Sequence, residues 1–156
     1  MASNFAKLEL PFTTRTQTNT DLHLLVHVLD WFNQFYQATI PHSIWLECQL
    51  ALAEGFTNAV RHAHAGKPID TPIDLEITLN PDAIELKIWD SGIGFDLEAY
   101  LRHLPEPSNQ ESDRGRGLKI IQQTADRFHY TTDQQRNCLH IVKHYGALSP
   151  SAIAVS

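Results

Sequence analysis

The chain has 156 residues, of which 42% are hydrophobic and 19% are charged, and its formal net charge is −6. A chain of this length is the size of one domain and can bury roughly 70% of its unfolded surface, so one hydrophobic core is predicted. The net negative charge gives no indication of a basic surface that would bind nucleic acid. No apolar run approaches the roughly 20 residues that are needed to cross a bilayer.

The cysteines and the N-terminal residues indicate in which cellular compartment the protein is expected. Cys48 and Cys138 lie far apart and fit neither a zinc spacing nor a disulfide framework, which favours a reducing environment with both as small core residues. The first residues, MASNFAKLELPF, lack the apolar region of a signal peptide. We therefore expect a soluble cytoplasmic protein.

The first half of the chain predicts a strand followed by two helices. Residues 6–12 alternate like a short strand. Residues 20–37 carry apolar side chains at steps of three and four, which predicts a helix capped by Thr20 or Asn19. Pro41 suits the first turn of a second helix, whose apolar face continues until the stretch AGKP ends it.

The second half predicts a hairpin, a helix and two more strands. Residues 73–80 and 83–90 alternate with period two around the turn signal Asn80-Pro81-Asp82, which is typical of antiparallel strands. Residues 105–117 contain no periodic apolar positions and are expected to form a mobile loop. A helix at 118–126 and strands at 127–133 and 137–144 complete a single domain, residues 1–145, before a flexible tail at 146–156.

Three polar residues share one stripe of the second predicted helix. Glu54, Asn58 and His62 follow one another at four-residue steps, within the stretch EGFTNAVRHAH. Such a stripe is usually a solvated helix face. Its meaning therefore depends on the motifs that accompany it.

Two glycine motifs define the ends of a candidate nucleotide cleft. DSGIGF, residues 90–95, leaves the second hairpin strand, and its glycines let the backbone approach a flat ligand. Asp90 could accept a hydrogen bond from an exocyclic amine, which adenine presents and guanine does not at that position. RGRGL, residues 114–118, lies at a predicted loop-to-helix junction, where N–H groups and the helix dipole favour phosphate. Alternatively, the first motif is a simple turn, and the glycines of the second motif are ordinary loop residues before a helix.

In this order and spacing, EGFTNAVRHA, DSGIGF and GRGLKII resemble the ATP-binding domain of the GHKL superfamily of gyrase, heat-shock chaperone, histidine kinase and mismatch-repair ATPases. Within it, the chain is similar to the anti-sigma-factor serine/threonine kinases of bacteria over residues 8–145. The resemblance implies a two-layer α/β sandwich, with a mixed and mostly antiparallel sheet covered on one face by helices. It also implies ATP and Mg²⁺ bound between the helices and a lid.

The resemblance also assigns roles to individual residues. Glu54 matches the proposed general base, and Asn58 matches the ligand of Mg²⁺. Asp90 matches the adenine reader, and an arginine before the second glycine box reaches the γ-phosphate in some members. We assign that arginine to Arg116, with Arg114 as the alternative. The matching glycines are Gly92 and Gly94 in the floor of the pocket and Gly115 and Gly117 in the hinge of the lid.

By the same resemblance, the protein is expected to phosphorylate a small anti-anti-sigma-like protein on serine or threonine and to sequester a partner. Whether that partner is a sigma factor, and whether the protein is a homodimer, are both left open. The first helix and residues 12–20 would form the partner face, with Arg15 as a candidate contact. The alternatives are a non-catalytic ATP-binding partner-switching module and a free-standing histidine-kinase-type ATPase domain; Glu54 favours a catalyst over a binder.

Overall fold

The structure, a computed structural model, describes residues 6–103, 113–133 and 135–146. In these ranges a five-stranded sheet is covered on one face by helices. A 3-10 turn, Leu22–Leu24, precedes the first helix, and a π-helical turn, Ala59–Ala63, continues the second. The elements in chain order are β1 Phe12–Thr18, α1 Leu25–Asn33, α2 His42–Asn58, β2 Ile73–Leu79, β3 Ala83–Asp90, α3 Leu97–Arg102, α4 Asp113–Thr124, β4 Arg127–Thr132 and β5 Asn137–His144.

The sheet has the strand order β1-β2-β3-β5-β4, and each neighbouring pair among these strands is antiparallel. The predicted hairpin is present as β2 and β3, with Ile77 opposite Leu86. The last two predicted strands are β4 and β5. The predicted two-layer α/β sandwich is confirmed. Among the described helices, none combines the length and the apolarity needed to span a membrane.

Alternation along the strands places the core between the sheet and the helices. The apolar side chains of β2 face the helices and are fully buried, whereas the polar ones between them face the open side of the sheet. From α2, Trp45 and Phe56 enter the same core, and Trp45 stacks on Phe32 of α1 with ring centroids 4.1 Å apart. Each such buried side chain contributes about 1.5–3 kcal/mol to stability. The fully buried side chains of β2 are Ile73, Leu75, Ile77 and Leu79.

The prediction of a strand at residues 6–12 was wrong, because the first strand is β1 at Phe12–Thr18. Its β-branched threonines suit a strand, and it pairs with β2 along its whole length. Leu8 and Leu10 instead pack against the core without a strand partner. The alternation in residues 6–12 therefore reflects core contacts and not a sheet ladder.

The first predicted helix is shorter than residues 20–37. Its start is capped by Asp21, whose Oδ1 accepts from the His23 N–H at 2.9 Å, and not by Thr20 or Asn19. The helix ends at Asn33, and Gln37 uses its side chain to accept from the Leu8 N–H at 3.1 Å. The chain must turn after Asn33 to make that contact.

Residues 113–117, predicted as part of a mobile loop, belong to α4. This helix packs against α2 and buries Leu118 and Ile121, and that packing outweighs the low helix propensity of the two glycines in its first turns. Residues 105–112 of the predicted loop and residues 147–156 of the predicted tail lie outside the described residues. The short helix α3 was not predicted; Asp96 caps it by accepting from the Ala99 N–H at 3.0 Å.

The two cysteines occupy different environments. Cys48 is buried in the core, as predicted. Cys138 is half-buried on the open face of the sheet, because it alternates with Leu139, which faces the helices. The prediction that Cys138 is a core residue was therefore wrong.

Candidate functional site

The polar stripe of α2 begins beside α4. Glu54 Oε2 lies 2.7 Å from the point that a Cβ on Gly117 would occupy. A helix interior normally disfavours glycine by about 1 kcal/mol, but here any larger residue would displace the carboxylate. A carboxylate therefore lies against the first turns of α4, which contain the second glycine motif.

Asn58, one turn after Glu54, presents an unsatisfied acceptor. The residue is 7% exposed, and its Oδ1 atom is buried with no hydrogen-bond partner among the described residues. A buried acceptor without a partner costs about 1–3 kcal/mol, so a ligand that supplies one is favoured. Mg²⁺ takes oxygen ligands and uses one or two protein oxygens together with phosphates and waters. On this observation, the residue present fits Mg²⁺.

A π-helical turn brings the end of α2 against the first glycine motif. The His64 N–H donates to the Ala59 carbonyl, five residues earlier, at 2.9 Å. Such turns are rare in proteins, and those that occur are frequently found at functional sites. A Cβ on Gly92 would lie 2.5 Å from the Ala63 carbonyl oxygen, so only glycine permits this approach of one backbone to the other. Gly94 adopts a φ of +81° in the same loop.

Asp90 lies at the end of β3 and is 5% exposed. Its Oδ1 accepts from the side-chain amide of Asn137 at 2.7 Å and from the Gly92 N–H at 2.9 Å. Among the residues that the structure describes, its Oδ2 accepts one long hydrogen bond, from the Tyr130 hydroxyl at 3.3 Å. Burial, and secondarily the Asp90 carboxylate, raises the pKa of Tyr130 well above its ordinary value, so this hydroxyl keeps its proton. Oδ2 is therefore the oxygen with capacity for a ligand donor.

A cleft of about 550 Å³ lies between the π-helical turn, the glycine loop and α4. This volume lies within the range of small-molecule pockets. Ile93 projects its side chain into solvent at the edge of the cleft and is fully exposed, which provides apolar surface for a flat ring. The other lining residues include His62, Lys67, Gly94, Arg114 and Tyr130.

The two candidate arginines are in different environments. The Arg114 guanidinium lies over the ring of Phe95, 3.6 Å from its centroid, and lines the cleft. Burial lowers the pKa of Arg114, and its Nε has no hydrogen-bond partner among the described residues. Arg116 is exposed and does not line the cleft. The structure thus places Arg114, and not Arg116, in the wall of the cleft together with Gly94 and Tyr130.

Four residues of this site were not predicted from the sequence. Asn137 and Tyr130 orient Asp90, Phe95 stacks on Arg114, and His64 binds the loop that follows Asp90. Asn137 and Tyr130 lie outside the three motifs, and their contacts are with a residue distant along the chain. Phe95 and His64 are the last residues of DSGIGF and EGFTNAVRHAH, where nothing in the sequence marks them as site residues.

Known proteins are similar to this chain. The curated relatives include proteins named serine-protein kinase RsbW from Listeria monocytogenes and Listeria innocua, each 29% identical, and from Staphylococcus epidermidis, 34% identical, all over 85 residues. The alignments cover 51% of this chain and 54% of each relative, so the chain spans about half the length of the curated relatives it matches.

A family model described as the histidine kinase-like ATPase domain matches residues 18–143. The matched region contains β2 to β4, all but the last residue of β5, α1 to α4 and every candidate site residue named above. The resemblance inferred from the three motifs is confirmed, and ATP is the nucleotide that this family implies. The chain belongs to the histidine kinase-like ATPase domain family.

Proposed function

We propose that this protein is a serine/threonine protein kinase that transfers the γ-phosphoryl group of ATP to a partner protein. The observation that carries the proposal is the placement of the Glu54 carboxylate against Gly117, with the unsatisfied Asn58 oxygen one turn away. A carboxylate beside the phosphate end of a nucleotide cleft is what a catalyst needs and a simple binder does not. The relatives' name, serine-protein kinase, supports the same activity.

The adenine end of the cleft is assigned to Asp90 and the glycine loop. Asp90 Oδ2 would accept from the exocyclic amine of adenine, while Oδ1 stays bound to Asn137 and Gly92. Gly92 lets the loop approach the Ala63 carbonyl, Gly94 lines the cleft, and Ile93 would cover one face of the base. An amine donor is thus preferred over a carbonyl at this position.

The phosphate end is assigned to Asn58, Glu54 and α4. Asn58 Oδ1 would hold Mg²⁺, which when bound neutralises charge on the phosphate oxygens. Glu54 would accept the proton of a serine or threonine hydroxyl as its oxygen bonds to the γ-phosphorus. The bond from that phosphorus to the bridging oxygen breaks, and ADP leaves with the electron pair. Gly115 and Gly117 would let α4 approach the phosphates closely.

Substitution of each arginine by alanine tests which one reaches the γ-phosphate. Because Arg114 lines the cleft and Arg116 is exposed, we expect Arg114→Ala to reduce phosphoryl transfer by about 10- to 150-fold, the value of a charge-assisted hydrogen bond. Arg116→Ala should stay within about twofold of the wild type. Single-turnover rates with radiolabelled ATP measure both. A larger loss in Arg116→Ala would restore the assignment made from the sequence.

The partner would meet the protein through β1 and α1. Arg15 projects from β1 on the open face of the sheet, where its side chain is 71% exposed and lies 5.6 Å from the Trp89 ring centroid. It also pairs with Glu76. Arg15 and Trp89 together would offer a flat, charged contact to a docked protein. A small antagonist protein as substrate and a sigma factor as sequestered partner both follow from the sequence resemblance and belong to this proposal.

Radiolabelled ATP, incubated with this protein and candidate partner proteins from the same genome, tests the function. The acceptor hydroxyl must be held in line with the γ-phosphate, which an ordered partner supplies. We therefore expect slow ATP hydrolysis by the protein alone and acid-stable label on serine or threonine when the partner is present. Acid-labile label on histidine would instead identify a histidine-kinase activity. Nucleotide-dependent binding without label would identify a non-catalytic module.

A further inference from the structure

A buried histidine joins three segments that surround the nucleotide cleft. His64 is 2% exposed and directly follows the π-helical turn. Its Nε2 receives a hydrogen bond from the Ser91 N–H at 2.9 Å, and its Nδ1 lies 2.7 Å from Thr20 Oγ1. Thr20 Oγ1 in turn donates to the Thr71 carbonyl at 2.6 Å. The imidazole thus connects the end of α2, the loop after β3 and the segment after β1.

These contacts define the protonation state of the ring. A backbone N–H can only donate, so Nε2 must carry a lone pair toward Ser91. The single hydroxyl hydrogen of Thr20 goes to the Thr71 carbonyl, so Thr20 Oγ1 accepts from Nδ1–H. His64 is therefore neutral, with its proton on Nδ1.

The Ser91 bond holds the backbone of the loop that directly follows Asp90. Ser91 lies between Asp90 and Gly92, and the Gly92 N–H is itself bonded to Asp90 Oδ1. An imidazolium would point an N–H from Nε2 at the Ser91 N–H, so two donors would face each other and this bond would be lost. The loop that orients Asp90 would then lose its anchor to the end of α2.

The surroundings of His64 keep the ring neutral. Burial lowers the pKa of His64 and is the largest influence; the Asp90 carboxylate opposes it, and the Lys67 ammonium adds to it. Since the unfolded chain binds this proton more readily, the stabilising contribution of His64 is complete above about pH 6.5 and is lost as the pH falls through the pKa in the folded protein.

We propose that His64 is a positioning residue for nucleotide binding that acts only as the neutral imidazole, by accepting the Ser91 N–H and so fixing the loop that carries Asp90. The inference rests on the proposed nucleotide site and adds a pH dependence to it. Acidification should weaken nucleotide binding through His64, even though His64 itself touches no nucleotide.

Calorimetry with Mg²⁺ and ADP, from pH 8 to one pH unit below the titration midpoint of the His64 imidazole followed by NMR, tests this role. The Kd of the wild type should rise on acidification, by up to about tenfold per pH unit below the pKa of folded His64, because one proton is linked to binding. His64→Gln retains an acceptor for Ser91 that does not titrate, so its affinity at pH 8 should stay within a few-fold and its pH profile should be flatter. His23→Gln, at a side chain that is 97% exposed, is the matched control and should follow the wild type. Equal pH profiles for the wild type and His64→Gln would overturn the proposal.

A second measurement needs neither a variant nor a nucleotide. Long-range ¹H–¹⁵N correlation of the wild-type imidazole should show the neutral Nδ1–H form at pH 7, and the Ser91 amide signal should shift with the titration of His64. An Nε2–H form or an imidazolium at pH 7 would refute the proposed contact. If the wild type binds no nucleotide at pH 8, the proposed function fails, and the imidazole spectrum still decides whether His64 holds the loop.

Discussion

Asp90→Asn should weaken ADP binding by about 10- to 150-fold, which is the loss of affinity expected when one hydrogen bond to a charged group is removed. The reason is geometric as well as electrostatic. One oxygen of the wild-type carboxylate accepts from Asn137 and Gly92, and in the proposed complex the other would accept from the ligand amine. An asparagine must turn its NH₂ group toward one of these two sets of donors, so it loses acceptors in either orientation.

Calorimetry with ADP and with tripolyphosphate separates the adenine contact from the phosphate contacts. Asp90→Asn should affect ADP strongly and tripolyphosphate little, because the phosphates are assigned to the other end of the cleft. Asp96→Asn, six residues later in the same segment, is the matched control, since asparagine caps a helix as well as aspartate does. Equal ADP affinity for Asp90→Asn and the wild type would remove Asp90 from the role of adenine reader.

Glu54→Gln should lower the rate of phosphoryl transfer by about 10²- to 10⁴-fold, the usual contribution of a general base. Nucleotide affinity should stay within a few-fold, because glutamine has the same shape and still fits beside Gly117. Asn58→Ala should behave differently and abolish the Mg²⁺-dependent part of nucleotide binding, since Asn58 Oδ1 is a buried oxygen with no hydrogen-bond partner among the described residues. The two substitutions thus separate proton transfer from metal binding.

Single-turnover transfer to the partner and calorimetry with and without Mg²⁺ measure these effects. Glu47→Gln is the matched control on the same helix. It removes a carboxylate that pairs with Lys143 at 2.8 Å, and such partly exposed pairs contribute at most about 1 kcal/mol to stability. If Glu54→Gln transfers phosphate at the wild-type rate, the general-base assignment is wrong. Unchanged Mg²⁺ dependence in Asn58→Ala would likewise reject the metal assignment.

Local periodicity in the sequence was sufficient to predict most of the fold. The hairpin of β2 and β3 was predicted because every second residue is apolar and the turn residues are local. Long α2 was predicted from its apolar spacing for the same reason. β1 was missed because its helix-facing positions are mostly threonines and not aliphatic residues, and only pairing with β2 makes Phe12–Thr18 a strand.

The sequence by itself also determined the motif residues of the site, because an acid followed by glycines is a signal within a few positions. The contacts that orient Asp90 were decided by the tertiary structure alone. Tyr130 and Asn137 lie 40 and 47 positions away from it along the chain, and the Ser91 contact of His64 spans 27. Single-sequence patterns do not encode such pairings, since each partner is an ordinary strand or helix residue until the sheet brings it into place.

The sequence also could not decide between Arg114 and Arg116, although these two residues are close together along the chain. Arg114 and Arg116 are two residues apart, and in a loop either side chain can reach the same ligand. In a helix, successive residues turn by about 100°, so side chains two positions apart point to nearly opposite sides. Because α4 extends back to Asp113 through its packing on α2, Arg114 faces the cleft and Arg116 is exposed. The sequence predicted an arginine near the phosphates without choosing between the two, and helix packing decided which of them lines the cleft.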